Sequence, residues 1–276
     1  MNELIARVRA GLLCPSRSSW IEILHHIEES NIGDEYGIVT RYVRNTIQKW
    51  EKREIGGMRF PLREQLGEVG SFSDALVYCP ESSVGQKGFW MGQTPVTQVL
   101  YRAVMGENPS RFRGDEWPVE QVSWCGAVRF CNRLSEMEGL QPTYKIHRSE
   151  IKWNREANGY SLPTEAQWEY AAKAGTELIY AGSDDIDEVA WYRHSGDRLQ
   201  KRTHPVAEKK PNAWGLYDMS GNVFEWCYES GVTESRHAPT RGGSWMCRDS
   251  VCGIEVSQRT HAGLCLPDTG FRLVLG

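Results

Sequence analysis

Thiol, hydroxyl, carboxylate and amide side chains suited to reaction or metal binding concentrate in the C-terminal part of this 276-residue chain. The run Arg241-Gly242-Gly243-Ser244-Trp245-Met246-Cys247-Arg248-Asp249-Ser250-Val251-Cys252 carries two of the eight cysteines, with Ser244 close by. Thiolates are nucleophiles and soft metal ligands, so Cys247 and Cys252 are the first candidates for reactive groups. The plainer reading is that both pack as small apolar residues. No close CxxC pair exists, which argues against a zinc ribbon, and the spacings do not form a small disulfide framework. Upstream, Asn222-Val223-Phe224-Glu225-Trp226 offers two oxygen-bearing side chains that either bind a hard cation or cap loop backbone. His204, in Thr203-His204-Pro205-Val206, is expected to be a structural hydrogen-bonding histidine. The acidic cluster Asp184, Asp185, Asp187 and Glu188 reads as a solvated loop or another cation site. There is no Ser-His-Asp set, P-loop or dinucleotide fingerprint.

The elements that must position these groups are legible in part. Thr164 followed by Gln167 is a capping box, with Gly175 as the stop of a helix carrying Trp168, Ala171 and Ala172. Ser123 can cap a second helix with Trp124, Ala127, Val128, Cys131 and Leu134 on one face, ended at Gly139. Thr97 to Gly106 makes a shorter third. The rest reads as short strands and long loops, consistent with 11 Trp and 27 Gly.

Residues 1–60 read as helical on the spacing of Leu4, Ile5, Val8 and Leu12, of Trp20, Ile23, Leu24 and Ile27, and of Ile38, Val39, Tyr42, Val43, Ile47 and Trp50. This divides the chain into a helical N-terminal segment, 1–65, and a larger domain, 66–276. A net charge of −4 supplies no basic field for nucleic acid. No apolar run is long enough to span a bilayer. Arg7 and Arg9 interrupt the apolar part of Met1 to Cys14, so no signal peptide is visible; a cell-surface or secreted location would require a leader already removed.

Six phrases in order carry a family resemblance: Phe89-Trp90-Met91-Gly92 with Pro95-Val96-Thr97-Gln98; Met105-Gly106-Glu107-Asn108-Pro109-Ser110; Pro118-Val119-Glu120-Gln121-Val122-Ser123-Trp124; Cys131-Asn132-Arg133-Leu134-Ser135; Leu162-Pro163-Thr164-Glu165-Ala166-Gln167-Trp168-Glu169-Tyr170; and Gly215-Leu216-Tyr217-Asp218-Met219-Ser220-Gly221-Asn222-Val223-Phe224-Glu225-Trp226, followed by the C-terminal signature from Arg241-Gly242-Gly243-Ser244-Trp245 to Gly270-Phe271-Arg272-Leu273. Over about residues 88–276 the chain resembles the formylglycine-generating-enzyme (sulfatase-modifying-factor) family. The resemblance implies an α+β, loop-rich, C-type-lectin-like fold preceded here by the short helical segment. In that family calcium often sits at the position of Asn222 and Glu225.

The resemblance leaves two functions open for one surface. In the oxidases of the family, two cysteines at this spacing hold copper(I) and convert a peptidyl cysteine of a sulfatase to formylglycine. Cys247 would then be the substrate-exchanging thiol, Cys252 the permanent ligand and Ser244 their neighbour. Against that, Tyr180-Ala181-Gly182-Ser183-Asp184 and Ile186-Asp187-Glu188-Val189-Ala190-Trp191-Tyr192 resemble the general bacterial subfamily.

Other members are variable proteins of diversity-generating retroelements, in which adenine-targeted AAC codons can become Cys, Asp, Ser, Val, Gly, Ile, Thr, His, Ala or Leu. The tail between the anchors is rich in such residues: Cys247, Asp249, Ser250, Val251, Cys252, Gly253, Ile254, Val256, Thr260, His261, Ala262, Gly263, Leu264, Cys265 and Leu266. It shows neither strand alternation nor helical periodicity. Met246, Glu255 and Gln258 would be fixed scaffold. The leading expectation is a ligand-binding protein that displays these fifteen positions to an unknown protein or other macromolecule; the alternative is the copper-dependent oxidase.

Overall fold

The computed structural model describes residues 76–82, 85, 87–147, 150–194 and 201–276. The helical segment expected over residues 1–65, with Cys14 and His25-His26, lies outside the described residues. Within them the chain is α+β, with few helices and loop-rich sheets, as the sequence predicts.

The strands are β1 (Leu76–Cys79), β2 (Phe89–Gly92), β3 (Tyr144–His147), β4 (Glu150–Trp153), β5 (Tyr160–Ser161), β6 (Phe224–Trp226), β7 (His237–Arg241), β8 (Ser257–His261), β9 (Thr269–Phe271) and β10 (Val274–Leu275). The helices are α1 (Gln98–Met105), α2 (Trp124–Met137), α3 (Glu165–Lys173) and the short α4 (Ile186–Val189). One sheet runs β1-β2-β10-β5 and another β8-β7-β6-β9, while β3 and β4 form a hairpin. The last residues are stitched in twice. β9 pairs in parallel with β6, and β10 lies between β2 and β5, antiparallel to both. Everything between β7 and β9 is therefore held at both ends by the sheets.

Local signals explain the helices. Ser123 Oγ accepts the Gly126 N–H at 3.1 Å, and the expected apolar face of α2 is buried. Thr164 and Gln167 form the reciprocal capping box, at 3.2 and 3.0 Å. α1 ends at Gly106, whose φ of 82° is the left-handed cap that glycine adopts freely. α3 differs slightly from expectation. The left-handed turn begins at Ala174 (φ 47°), one residue before Gly175, because the cap N–H there reaches back to Tyr170 O.

Two aromatic-rich clusters form the core. In the first, Tyr101 stacks on Phe130 at 5.4 Å and Phe130 meets Phe271 edge-on at 5.1 Å, beside buried Trp124 and Trp226. The second packs Trp168 with Met91, Leu216, Ile254 and Val274. Each fully buried large side chain of this kind stabilises the fold by on the order of 3 kcal/mol. The indole N–H groups are satisfied as well: Trp124 donates to Cys227 O at 2.8 Å and Trp226 to Val122 O at 2.9 Å.

Candidate functional site

The segment after β7 begins with two glycines in the left-handed region, Gly242 (φ 88°) and Gly243 (φ 73°). A Cβ on Gly243 would lie 2.7 Å from Cys252 Sγ and 2.9 Å from Cys252 Cα, so the bare backbone there is what lets Cys252 close in underneath. The chain then folds back through a turn, Cys247 N–H to Ser244 O at 2.9 Å, and a 3-10 turn at Asp249–Val251. The Trp245 N–H donates to Asn222 O at 3.0 Å, and the Ile254 N–H to Ile179 O at 2.9 Å. After β8, the Gln121 N–H bonds Leu266 O and the Phe224 N–H bonds Asp268 O, which returns the chain to β9.

These turns bring Ser244, Cys247, Cys252 and Asp268 together. Ser244 Oγ is 3.3 Å from Cys247 Sγ and 3.0 Å from Asp268 Oδ2. An ionised Asp268 can only accept, so the serine hydroxyl donates to it while Cys247 is protonated, and can turn its proton to the sulfur when Cys247 ionises. Cys247 is half-buried and packs against the small cluster that holds Cys252, Tyr180, Val189 and Ala190. Burial pushes the Cys247 thiol up, the Ser244 hydrogen bonds pull it down, and the Asp268 charge raises it. Cys252 is fully buried and pushed up to about 12, first by burial and then by its neighbour Cys247. Burial also raises Asp268. Both thiols are therefore protonated at neutral pH. All seven cysteines in the described residues are free. Asp268 was not among the residues singled out from sequence; it stands between the tail and β9, and nothing local marks it.

Of the fifteen tail positions, Asp249, Ser250, Gly263, Leu264 and Cys265 are exposed. Cys247, Val251, Val256, Thr260, His261 and Leu266 are partly exposed. Cys252, Gly253, Ile254 and Ala262 do not reach the surface. Ala262 joins the Trp124 cluster and Ile254 the Trp168 cluster. These four are core, because the irregular path of the tail turns them inward against residues far away in sequence.

Asn222 and Glu225 are both buried and both come to the centre of the domain. The Glu225 carboxylate accepts from Arg272 Nη2 at 2.8 Å and Nε at 3.0 Å, and from the Trp168 indole at 2.7 Å. Arg272 spends its remaining donors on the carbonyls of Gly92, Gln93 and Tyr217. Asn222 exchanges hydrogen bonds with the backbone of His204, and its Nδ2 donates to Asp218 Oδ1 at 3.3 Å. Placed this way, neither Glu225 oxygen is left for calcium, and a guanidinium already supplies the positive charge. Asp218, buried and in the left-handed region (φ 54°), is pushed up to about 6, chiefly by burial.

His204 stacks on Trp191 with centroids 3.8 Å apart, and burial with nearby Arg202 and Lys209 lowers it to about 4. It is neutral at pH 7 and braces a loop. In the acidic cluster, Asp184 accepts the Ile179 N–H, Asp185 caps α4 and Glu188 pairs with Lys210. Among the described residues no group of three or more His, Cys, Asp or Glu side chains is arranged to hold a metal. None of their helices is long and apolar enough to cross a membrane.

Comparison with known proteins agrees with the fold. The chain is 36% identical over 245 residues to the chaperone protein LppX of Paenibacillus barcinonensis, covering 76% of this chain and 88% of that one. It is 33% identical over 135 residues to the formylglycine-generating enzyme of Streptomyces coelicolor, a match that spans 37% of this chain and 43% of the enzyme. Among solved structures, Treponema denticola variable protein 1 superposes with a TM-score of 0.64 at 30% identity, covering 73% of this chain and 91% of that one. Residues 56–276 match the model of the sulfatase-modifying factor enzyme 1-like domain, and the chain belongs to that family.

Proposed function

We propose that this protein binds a macromolecular ligand through the exposed part of the segment from Cys247 to Leu266. The observation that carries the reading is the contrast within that segment. Its ends are clamped by Ser244, Trp245 and the buried Arg272, while Asp249, Ser250, Gly263, Leu264 and Cys265 project into solvent. Side chains on such a stiff frame can change without refolding the backbone, and a preorganised surface loses little entropy on binding. The similarity to Treponema denticola variable protein 1 supports it. The varying positions on this reading are the exposed ones and not Cys252, Gly253, Ile254 or Ala262.

Two measurements test it. In the genome, a near-copy of the 3′ end differing mainly at adenines, next to a reverse-transcriptase gene, is expected; changes in such a copy at the codons of the four core positions would contradict the reading. In the laboratory, a display library randomised at the five exposed positions is expected to stay folded and yield binders to unrelated targets. A library that unfolds, or yields none, overturns it.

A second reading is favoured by one observation: Ser244 Oγ 3.3 Å from a half-exposed Cys247, with Cys252 packed alongside. Two adjacent sulfurs fit copper(I) in ligand type. Cys247 and Cys252 would hold it, and bound copper would supply the dioxygen activation for oxidising a peptidyl cysteine to formylglycine. Here the chain's own groups set the proton inventory: Ser244 orients the Cys247 S–H, and both thiols must release protons to ligate. Aldehyde formation in a cysteine peptide incubated with copper-loaded protein, lost in Cys247→Ser, tests this.

A further inference from the structure

Arg111, Arg193 and Arg248 are exposed, and each is linked to the Trp245–Arg248 turn by sequence or by a contact. Arg193 donates its backbone N–H to Cys247 O at 2.8 Å, and Arg248 follows Cys247 in the chain. Arg111 lies over the ring of Phe112, 5.4 Å from its centroid, and that ring meets Trp245 edge-on at 5.6 Å. Three exposed guanidiniums have carboxylate partners, Arg102 with Asp115, Arg129 with Glu234 and Arg259 with Glu229, whereas Arg113, Arg155 and Arg236 have none among the described residues. Arg111, Arg193 and Arg248 have no ion-pair partner among the described residues.

Arg113 and Arg202 are two further exposed cations. Arg113 donates to Asn108 O at 2.8 Å, and Arg202 sits 5.0 Å over Trp117, whose loop bonds Val206 N–H through Glu116 O. The opposing charges include Glu120, whose carboxylate is acted on by Arg111 and Arg113, with Asp249, Glu116 and Asp187, the last accepting from Tyr192 Oη, while Asp268 is turned onto Ser244. Three guanidiniums without ion-pair partners therefore flank one short turn of a chain whose net charge is −4. Amid the arginines sits an apolar patch: Met246, 49% exposed, with Trp245 and Phe112 partly exposed beside it. Aromatic, Met and Arg side chains are the ones protein interfaces concentrate, and a guanidinium pairs with a carboxylate in bidentate fashion.

We infer that this face docks an acidic protein segment, in which Asp or Glu residues flank an apolar side chain. The apolar side chain covers Met246 and Trp245, and the carboxylates reach Arg111, Arg193 and Arg248. This rests on the binding reading and adds the class of partner. Arg111 and Arg193 lie outside the C-terminal segment, so the acidic preference belongs to the scaffold and persists when the exposed tail positions change.

The test uses the full chain and fluorescence anisotropy with three labelled probes: a peptide of glutamates around a central leucine, the same peptide with lysines for glutamates, and a short DNA duplex. The glutamate peptide is expected to bind at least about tenfold tighter than the lysine peptide and to weaken as salt screens the charges. The triple variant Arg111→Glu, Arg193→Glu, Arg248→Glu is expected to lose about tenfold or more in affinity while keeping the wild-type circular dichroism and Tm. Equal binding of both peptides, no binding of the glutamate peptide, an unaffected triple variant, or tighter binding of the duplex each overturns it. Failure here with binders still recovered from the display library removes the acidic partner alone; a barren library removes the binding reading itself.

Discussion

Arg272 and Glu225 form an ion pair with Nη2 to Oε1 at 2.8 Å, with side chains 0% and 1% exposed. The Trp168 indole donates to the same carboxylate, and three backbone carbonyls share the guanidinium. Removing one charge leaves the other buried and unpaired, which costs roughly 3–5 kcal/mol. Arg272→Met is therefore expected to lower the free energy of unfolding in urea by about that amount. Calcium is expected to leave the wild-type Tm unchanged, because the guanidinium occupies the carboxylate; a rise in Tm with calcium would contradict this arrangement.

Gly243 and Cys252 form a second close pair. Gly243→Ala places a methyl 2.7 Å from Cys252 Sγ in a left-handed conformation. Overpacking costs about 1–3 kcal/mol and the backbone about 1–2 more. Shrinking the partner should return part of it, so Gly243→Ala with Cys252→Ala is expected to be less destabilised than the sum of the two single changes. Additive values in the double-mutant cycle would show that the two do not touch.

Thiol reactivity reads out the Ser244–Cys247–Asp268 arrangement. In a Cys265→Ser background, alkylation of Cys247 by iodoacetamide is expected to be slow at pH 7 and to accelerate as the pH rises past the ordinary thiol range, since burial raises this group. Ser244→Ala removes a hydrogen bond that favours the thiolate and shifts the profile to higher pH. Asp268→Asn removes a charge that opposes the thiolate and shifts it to lower pH. Shifts of the opposite signs would refute the assigned roles.

Glu120 supplies a pH dependence of stability. It is buried, Oε1 accepts the Phe112 N–H at 2.8 Å, and Oε2 has no partner. Burial raises its pKa from 4.5 to about 7. A folded-state pKa above the unfolded value means that its contribution is full below about 4.5 and is lost as pH rises through about 7. The stability of wild type relative to Glu120→Gln is expected to fall over that window, by roughly 1–3 kcal/mol after allowing for solvent relaxation. A flat difference from pH 4 to 8 would show that Glu120 is not the titrating group.

The division of the tail into core and display positions is directly measurable. Leu264→Asn, at an exposed site, is expected to change stability by no more than about 0.5 kcal/mol. Ile254→Ala, in the Trp168 cluster, is expected to cost about 2–5 kcal/mol. Similar losses at both positions would mean that the tail has no free surface.

Features whose causes are local can be read directly from the order of the residues. Ser123 and Thr164 cap their helices because the partner N–H lies three residues on, and Gly106 ends α1 because only glycine enters the left-handed region without cost. The family phrases likewise announced an α+β domain. Which tail residues face solvent follows instead from the folded chain. Cys252, Ile254 and Ala262 look like their exposed neighbours in type, but each meets a different cluster, built around Tyr180, Trp168 or Trp124. The same holds for the site itself. Glu225 reads as a free oxygen donor until β9 pairs with β6 and carries Arg272 against it, and Asp268 reads as a linker residue until that pairing sets it beside Ser244. Caps and turns are satisfied within a few residues, whereas burial and charge pairing depend on what long-range strand pairing brings alongside.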